Sequence, residues 1–154
     1  MKLISIRQPW ASLIITGGTT IETGAIELKD VENRSWATAY RGPVLIHASQ
    51  RSDAIRPDEI ERRFGVRVEG EQQLGGVIGI TEIVDCVRPH ASRWYAPGCY
   101  GFVLANSRSL PFVPWKGALS LRSAPAELLK LCAAAGLARR AVRPSRTSHG
   151  LEAL

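Results

Sequence analysis

The segment of residues 29–36 carries the side chains best suited to chemistry. Lysine, glutamate and arginine stand at Lys29, Glu32 and Arg34, and an indole follows at Trp36. The two cations can hold phosphate, the carboxylate can accept a proton, and the indole can stack on a base. On a strand, Glu32, Arg34 and Trp36 share one face. Lys29 can join them only if it lies in the preceding loop or if a bulge redirects it. Without a cleft, the same charges are typical of a solvated edge strand.

The other tryptophans add candidate stacking groups. Trp94 and Trp115 stand in predicted loops beside Arg93 and Lys116, and a basic neighbour is typical of an indole that stacks on a base. The alternative interpretation is that such indoles plug the ends of a barrel.

The sequence contains no other catalytic or metal-binding motif that we recognise. The three cysteines form no CxxC pair, and Cys86, His90 and Cys99 are one ligand short of a structural zinc site. A phosphate-binding loop and a nucleophile elbow are also missing. His47 lies in a predicted buried strand without an evident nucleophile partner, and we interpret it as a hydrogen-bonded structural group. We therefore expect no metal and no cofactor.

Composition favours a basic globular domain. The 154 residues suffice for one core, and 20 Lys and Arg against 14 Asp and Glu give a net charge of +6. Most of the cations are arginines, which suit phosphate and carboxylate partners. No apolar run approaches the roughly 20 residues that cross a bilayer, and the N-terminal segment does not read as a signal peptide. We therefore expect a cytoplasmic protein without a membrane segment.

The elements that must position these residues are short. Apolar patterning and turn residues predict five or six strands and three helices, not in strict alternation, which argues against a doubly wound sheet. A small curved sheet or half-open barrel with flanking helices fits better. We expect one domain over residues 1–136 and a basic, flexible tail over 137–154. The predicted strands lie at 3–6, 29–36, 44–48, 76–87, 100–105 and 119–121, and the predicted helices at 11–15, 58–64 and 126–135.

Three other segments receive predictions of their own. Residues 19–28 are expected to form a loop or a small hairpin with Gly24 at its tip. Residues 66–73 read as a polar connection. Residues 110–115 contain two prolines and are expected to form a loop, because proline is excluded from central strands.

The motif segment and its surroundings resemble the ASCH domain family. The resemblance rests on ISIRQPWA at 4–11, KDVENRSW at 29–36 and YRGPVLIHAS at 40–49, and it extends over roughly residues 1–125. Lys29, Glu32 and Arg34 match the charged positions of the family motif G-x-K-x-x-E-x-R. About ten residues separate the glycines at 17 and 18 from the lysine, which indicates an insertion.

The resemblance implies an α+β, PUA-like fold: a small mixed barrel with a cleft where the motif residues gather. It also implies a ligand, because the family is thought to act on RNA or on nucleoside-like molecules. We therefore favour binding of RNA, or of single-stranded or modified nucleic acid or a modified nucleoside; the oligomeric state stays open. The expected binding residues are Arg7, Trp10, Arg34, Trp36 and Lys116.

Two alternatives stay open. The first is a hydrolase, either a ribonuclease or an amidohydrolase on N4-acetylcytidine-like nucleosides, with Lys29 and Glu32 as its acid–base pair. In the branch that hydrolyses N4-acetylcytidine, a lysine and a threonine of the motif act together; Lys29 matches the lysine, but Glu32 stands where the threonine would be. The second alternative is a protein-interaction adaptor that uses the proline-rich loop around Trp115.

Overall fold

The computed structural model describes residues 1–142, and this part of the chain contains nine strands and three helices. The strands are β1 (Lys2–Ile6), β2 (Gly18–Thr20), β3 (Ile26–Glu27), β4 (Val31–Arg34), β5 (Gly42–Ala48), β6 (Val66–Arg67), β7 (Gly76–Val87), β8 (Tyr100–Pro114) and β9 (Leu121–Ser123). The helices are α1 (Trp10–Ile15), α2 (Pro57–Phe64) and α3 (Ala126–Val142).

Six of the strands form one curled sheet in the order β4-β8-β7-β5-β1-β9. β1 and β5 are parallel, and the other neighbours in this sheet are antiparallel. The half-barrel and the three helices confirm the predicted mixed α+β, PUA-like fold.

The sheet separates two apolar cores because side chains alternate along its strands. On one face, Ile4 and Ile46 pack with α1 in a cluster that also contains Phe102. On the other face, Leu3 and Leu45 pack against α3. Since β1 and β5 are covered on both faces, they read as continuous apolar runs in the sequence. The same alternation places Ser5 and His47 on the face that carries Leu3 and Leu45.

The segment before the motif forms part of a second, three-stranded sheet. β2 and β3 pair as a hairpin, with Gly24 in its turn at a φ of +71°, which confirms the hairpin alternative for residues 19–28. β6 adds to the other side of β2. This strand was not predicted within the 66–73 connection, because two residues carry too little periodicity to be recognised.

The prediction of a loop at 110–115 is wrong. β8 continues through Pro111 to Pro114, and its last residues pair with the start of β7. β4 pairs with β8 only over residues 100–103, so within the described residues the rest of β8 has a ladder partner on one side. Proline is compatible with such a half-free edge, because its missing N–H can lie on the unpaired side.

The last helix is longer than expected. α3 was predicted to end before Gly136, but it runs to Val142. An isolated glycine costs a helix only about 1 kcal/mol relative to alanine, and Ala, Leu and Arg residues that favour helix follow it. Residues 137–142 of the predicted tail are therefore helical, and residues 143–154 lie outside the described part. Within residues 1–142, no helix is both long and apolar enough to span a bilayer.

Candidate functional site

The three charged side chains of the motif meet around Glu32. Lys29 lies in the loop just before β4, which is the position from which its side chain can reach Glu32 and Arg34. Its backbone N–H donates to Leu13 O at 2.8 Å and so fixes that loop to α1. Its Nζ lies 3.6 Å from Glu32 Oε2. Glu32 and Arg34 share one face of β4, and Arg34 Nε lies 3.6 Å from Glu32 Oε1. The carboxylate is thus held between two cations.

This trio is largely shielded from solvent although β4 is an edge strand of its sheet: Lys29 is buried, and Glu32 and Arg34 are half-buried. The side chains of Lys29, Glu32 and Arg34 are 5%, 12% and 22% exposed. The ammonium of Lys29 also donates to Val31 O and lies 5.9 Å from the centre of the Trp10 ring. The interpretation of these charges as a solvated edge is therefore wrong.

Burial changes the acid–base behaviour of Lys29. Removal from water lowers the pKa of Lys29 below its ordinary value of 10.5, because the charged ammonium loses its hydration. The negative charge of Glu32 opposes this shift and the positive charge of Arg34 adds to it. The neutral amine is therefore easier to form here than on an exposed lysine.

The trio also has hydrogen-bonding capacity that the protein leaves unused. Within the described residues, Glu32 Oε2 and Arg34 Nε are buried and have no hydrogen-bond partner. The 3.6 Å contacts are attractive ion pairs but too long for hydrogen bonds. Buried polar atoms are rarely left unpaired, so an acceptor and a donor remain here for a further group.

Two adjoining cavities flank the trio. The first has a volume of about 740 Å³ and the second about 540 Å³. Trp10, Glu32 and Asn33 line both, so the carboxylate stands in the wall between them. Residues that line only the first cavity include Ser5, Arg7, Arg34, Trp36, His47, Arg51 and Asp53. Residues that line only the second include Lys29, Arg63, Phe64, Arg93, Trp94 and Tyr95.

The structure brings six of the seven expected site residues to these cavities. Trp10 packs edge-on against Phe64, and its Nε1 donates to Asp53 Oδ2 at 3.0 Å. Trp36 is half-buried and packs edge-on against Phe102. Lys116 is exposed and lines neither cavity in the described structure.

The remaining loop tryptophans serve the packing of the protein. Trp94 is buried and stacks on Phe64 at 4.6 Å between ring centres. Trp115 packs beside the core on the α3 side of the sheet. For these two indoles the barrel-plug interpretation holds better than base stacking.

Several cavity residues were not anticipated from the sequence. Asn33 holds the loop that walls the second cavity, because its amide donates to Trp94 O and accepts from Ala96 N, both at 2.8 Å. Arg51 and Arg93 add positive charge from segments distant in the chain. Arg51 had no signal in the sequence beyond the general excess of arginine, whereas Arg93 was noted there only as the basic neighbour of Trp94.

His47 has the partner that the sequence did not reveal. Ser5 Oγ lies 3.0 Å from His47 Nδ1, and His47 Nε2 lies 2.7 Å from Trp115 O. Ala118 N donates to Ser5 Oγ at 3.1 Å. Ser5 and His47 are 42 residues apart and become direct neighbours through the pairing of β1 with β5.

Lys29, Glu32 and Arg34 lie in the part of the chain that is similar to known proteins. The sequence model of the ASCH domain matches residues 4–101. Activating signal cointegrator 1 of Homo sapiens is 29% identical over 93 residues, which cover 54% of this chain and 14% of that protein. Activating signal cointegrator 1 of Mus musculus is 29% identical over 91 residues, with the same two shares. The chain thus spans about 14% of the length of these curated relatives.

Proposed function

The chain belongs to the ASCH domain family, and we propose that it binds RNA, or single-stranded or modified nucleic acid, across the two cavities beside Glu32. The observation that carries this proposal is the cluster of Lys29, Glu32 and Arg34, largely shielded from solvent, beside two cavities lined by arginines and indoles. It agrees with the RNA or nucleoside-like ligands that the family resemblance implies.

The charges around the first cavity suit a phosphodiester. Arg7, Arg34 and Arg51 line it, against the carboxylates of Glu32 and Asp53. An arginine fork presents several N–H donors to phosphate oxygens in a fixed geometry, and phosphate contacts supply most of the affinity for nucleic acid. This excess of guanidinium groups therefore favours a backbone phosphate in the first cavity.

The wall between the cavities suits a base. The indole of Trp10 lines both cavities and is only partly buried, so it offers a surface for stacking. Glu32 lines both cavities, and a carboxylate accepts hydrogen bonds of the kind that an exocyclic amino group of a base donates. Lys29 is too deeply buried to bind phosphate directly, and its role in this proposal is to hold the Glu32 carboxylate in place. Lys116 would contact the strand outside the cavities.

A salt titration tests the proposal. Binding of a fluorescent eight-nucleotide RNA is followed by anisotropy from 50 to 300 mM salt, beside the same sequence as DNA and the free nucleosides. We expect log affinity to fall with log salt by about 0.7 for each phosphate contact on a single strand. Arg34→Ala should weaken binding at least about fivefold and flatten the slope by one contact.

The matched control is Arg108→Ala, an exposed arginine on β8 that lines neither cavity in the described structure. It removes the same charge from the protein and should leave the slope nearly unchanged. Binding that does not respond to salt, or equal losses in the two variants, would exclude phosphate recognition at this cavity.

A hydrolase is the second candidate, and the lowered pKa of Lys29 favours it. A lysine acts as a base only when its pKa approaches the working pH, and Lys29 lines the second cavity 3.6 Å from the Glu32 carboxylate. Incubation with N4-acetylcytidine and with RNA, beside Lys29→Ala, tests this role. If wild type and variant are equally inert, the hydrolase is rejected. The adaptor alternative would have to use residues 115–120, because residues 110–114 belong to β8.

A further inference from the structure

A serine and a histidine that no motif connects lie together at the first cavity. In the parallel pairing of β1 with β5, Ser5 stands opposite His47, and their side chains are hydrogen-bonded at 3.0 Å. Both line the cavity. Ser5 is partly exposed while His47 is 1% exposed, so the imidazole is shielded from bulk water.

The partners of the imidazole decide which nitrogen carries the proton. Trp115 O lies 2.7 Å from His47 Nε2, and a carbonyl oxygen can only accept. In the neutral ring, Nε2 therefore holds the hydrogen and Nδ1 presents a lone pair. Ser5 Oγ donates to that lone pair and itself accepts from Ala118 N at 3.1 Å. Hydrogen bonds thus connect a nucleophile, Ser5, to a base, His47, and that base to a carbonyl group that orients it.

The loop that closes over this pair depends on a glycine. A Cβ at Gly117 would lie 3.0 Å from both Ser5 Oγ and His47 Cε1. Such contacts are tighter than most side-chain contacts, so a larger residue would push the loop away from the pair. Glycine here allows Trp115 O and Ala118 N to reach the two side chains from one short segment.

A cation stands beside the hydroxyl. Arg34 Nη2 donates to the backbone oxygen of Ser5 at 3.0 Å, and the guanidinium lines the same cavity. Fixed positive charge next to a nucleophile can stabilise the oxyanion that forms when a carbonyl is attacked. Arg34 can therefore serve this pair as well as a bound phosphate.

We propose that Ser5 and His47 form a nucleophile–base pair that hydrolyses carboxylic esters in the first cavity. Ser5 Oγ bonds to the carbonyl carbon while its proton passes to His47 Nδ1. The bond from that carbon to the alcohol oxygen then breaks, and Nδ1 returns the proton to the leaving alcohol. Water attacks the acyl-serine, gives one proton to Nδ1, and releases the acid as Ser5 regains its hydrogen. The balance is ester plus water to acid plus alcohol, and it does not depend on nucleic-acid binding.

The test uses the full chain, a fluorophosphonate probe and p-nitrophenyl acetate. We expect the probe to attach to the peptide that contains Ser5 and ester hydrolysis to fall at least 100-fold in His47→Gln. Ser109→Ala, which removes an exposed serine on β8, is the matched control and should react like wild type.

Peptide mapping on the wild-type protein is the decisive measurement, because Ser5→Ala removes a partner of His47 and can unfold the chain. A single adduct at Ser5 that forms much more slowly in folded His47→Gln supports the proposal. No adduct, adducts spread over several serines, or equal rates in His47→Gln overturn it and leave the hydrogen bonds as a purely structural link to the 115–118 loop. None of these readouts involves RNA, so the result is independent of the nucleic-acid proposal.

Discussion

The ion pair of Lys29 and Glu32 should couple much more strongly than an exposed pair of the same length. Its atoms are 3.6 Å apart, and the two side chains are only 5% and 12% exposed. At an effective dielectric constant of about 20, two unit charges at this distance attract by about 5 kcal/mol. The second cation, Arg34, and partial access of water reduce this figure, so we expect a coupling energy of about 2–4 kcal/mol.

A double-mutant cycle measures this coupling in the free energy of unfolding. Lys29→Met, Glu32→Gln and the double variant are unfolded in urea at pH 7 beside wild type. Glu32→Gln should lose about 3–5 kcal/mol, because it leaves the ammonium of Lys29 shielded from water without a counter-charge. Lys29→Met should lose less, because Arg34 still lies 3.6 Å from the Glu32 carboxylate. The double variant should lose much less than the sum of the two. Desolvation of the pair cancels in the cycle, so only the interaction between the two side chains remains.

Helix α2 supplies a matched control. Arg63 Nη1 and Glu59 Oε2 are also 3.6 Å apart, but their side chains are 56% and 35% exposed. The same cycle with Arg63→Met and Glu59→Gln should give only about 0.3–0.5 kcal/mol, as exposed helical pairs do. Equal couplings below about 0.5 kcal/mol in the two cycles would refute the view that burial strengthens the trio.

Three further predictions concern stability. Burial lowers the pKa of Lys29 in the folded chain below the ordinary 10.5. Between these two pKa values the unfolded chain binds more protons than the folded chain, so the free energy of unfolding of the wild type should rise with pH in this window. Urea unfolding across alkaline pH should show that Lys29→Met loses this rise, and parallel curves would contradict the assigned pKa direction. Ile46→Ala truncates a fully buried strand residue and should cost about 2–5 kcal/mol in the same assay, whereas a loss below about 1 kcal/mol would show that Ile46 is not in a close-packed core. Gly136→Ala should gain up to about 1 kcal/mol, since nothing lies within 4 Å of the added Cβ inside α3, and a lower urea midpoint would argue against helix at this position.

Local patterns predicted the elements whose causes are local. α2 begins at Pro57 and ends before Gly65, which takes the left-handed conformation at a φ of +67°. The apolar run at 44–48 is β5, because both of its faces are covered. The three ionic side chains could be expected to meet for the same reason, since they lie within six residues of one another in the sequence.

Two predictions about elements were wrong: the loop at 110–115 and the end of α3 before Gly136. Both relied on the general preference of proline or glycine to interrupt a strand or a helix. Pro111 and Pro114 lie within β8 because that end of the strand has a free side. Gly136 lies inside α3 because the small cost of a glycine is offset by the good helix formers around it. The pairing of β8 depends on distant segments, which the local pattern does not contain. The helix formers around Gly136 are part of that pattern, and the prediction gave the glycine too much weight against them.

The amino-acid sequence by itself determined the family, the element types over most of the described chain, and the charged motif. Only the tertiary structure decided that these charges are largely shielded from solvent, that Glu32 lines two cavities, and that Ser5 meets His47. The physical reason is that burial and contact depend on pairing between distant segments. Ser5 and His47 meet because β1 and β5 lie side by side, and that register is set by the packing of the whole sheet.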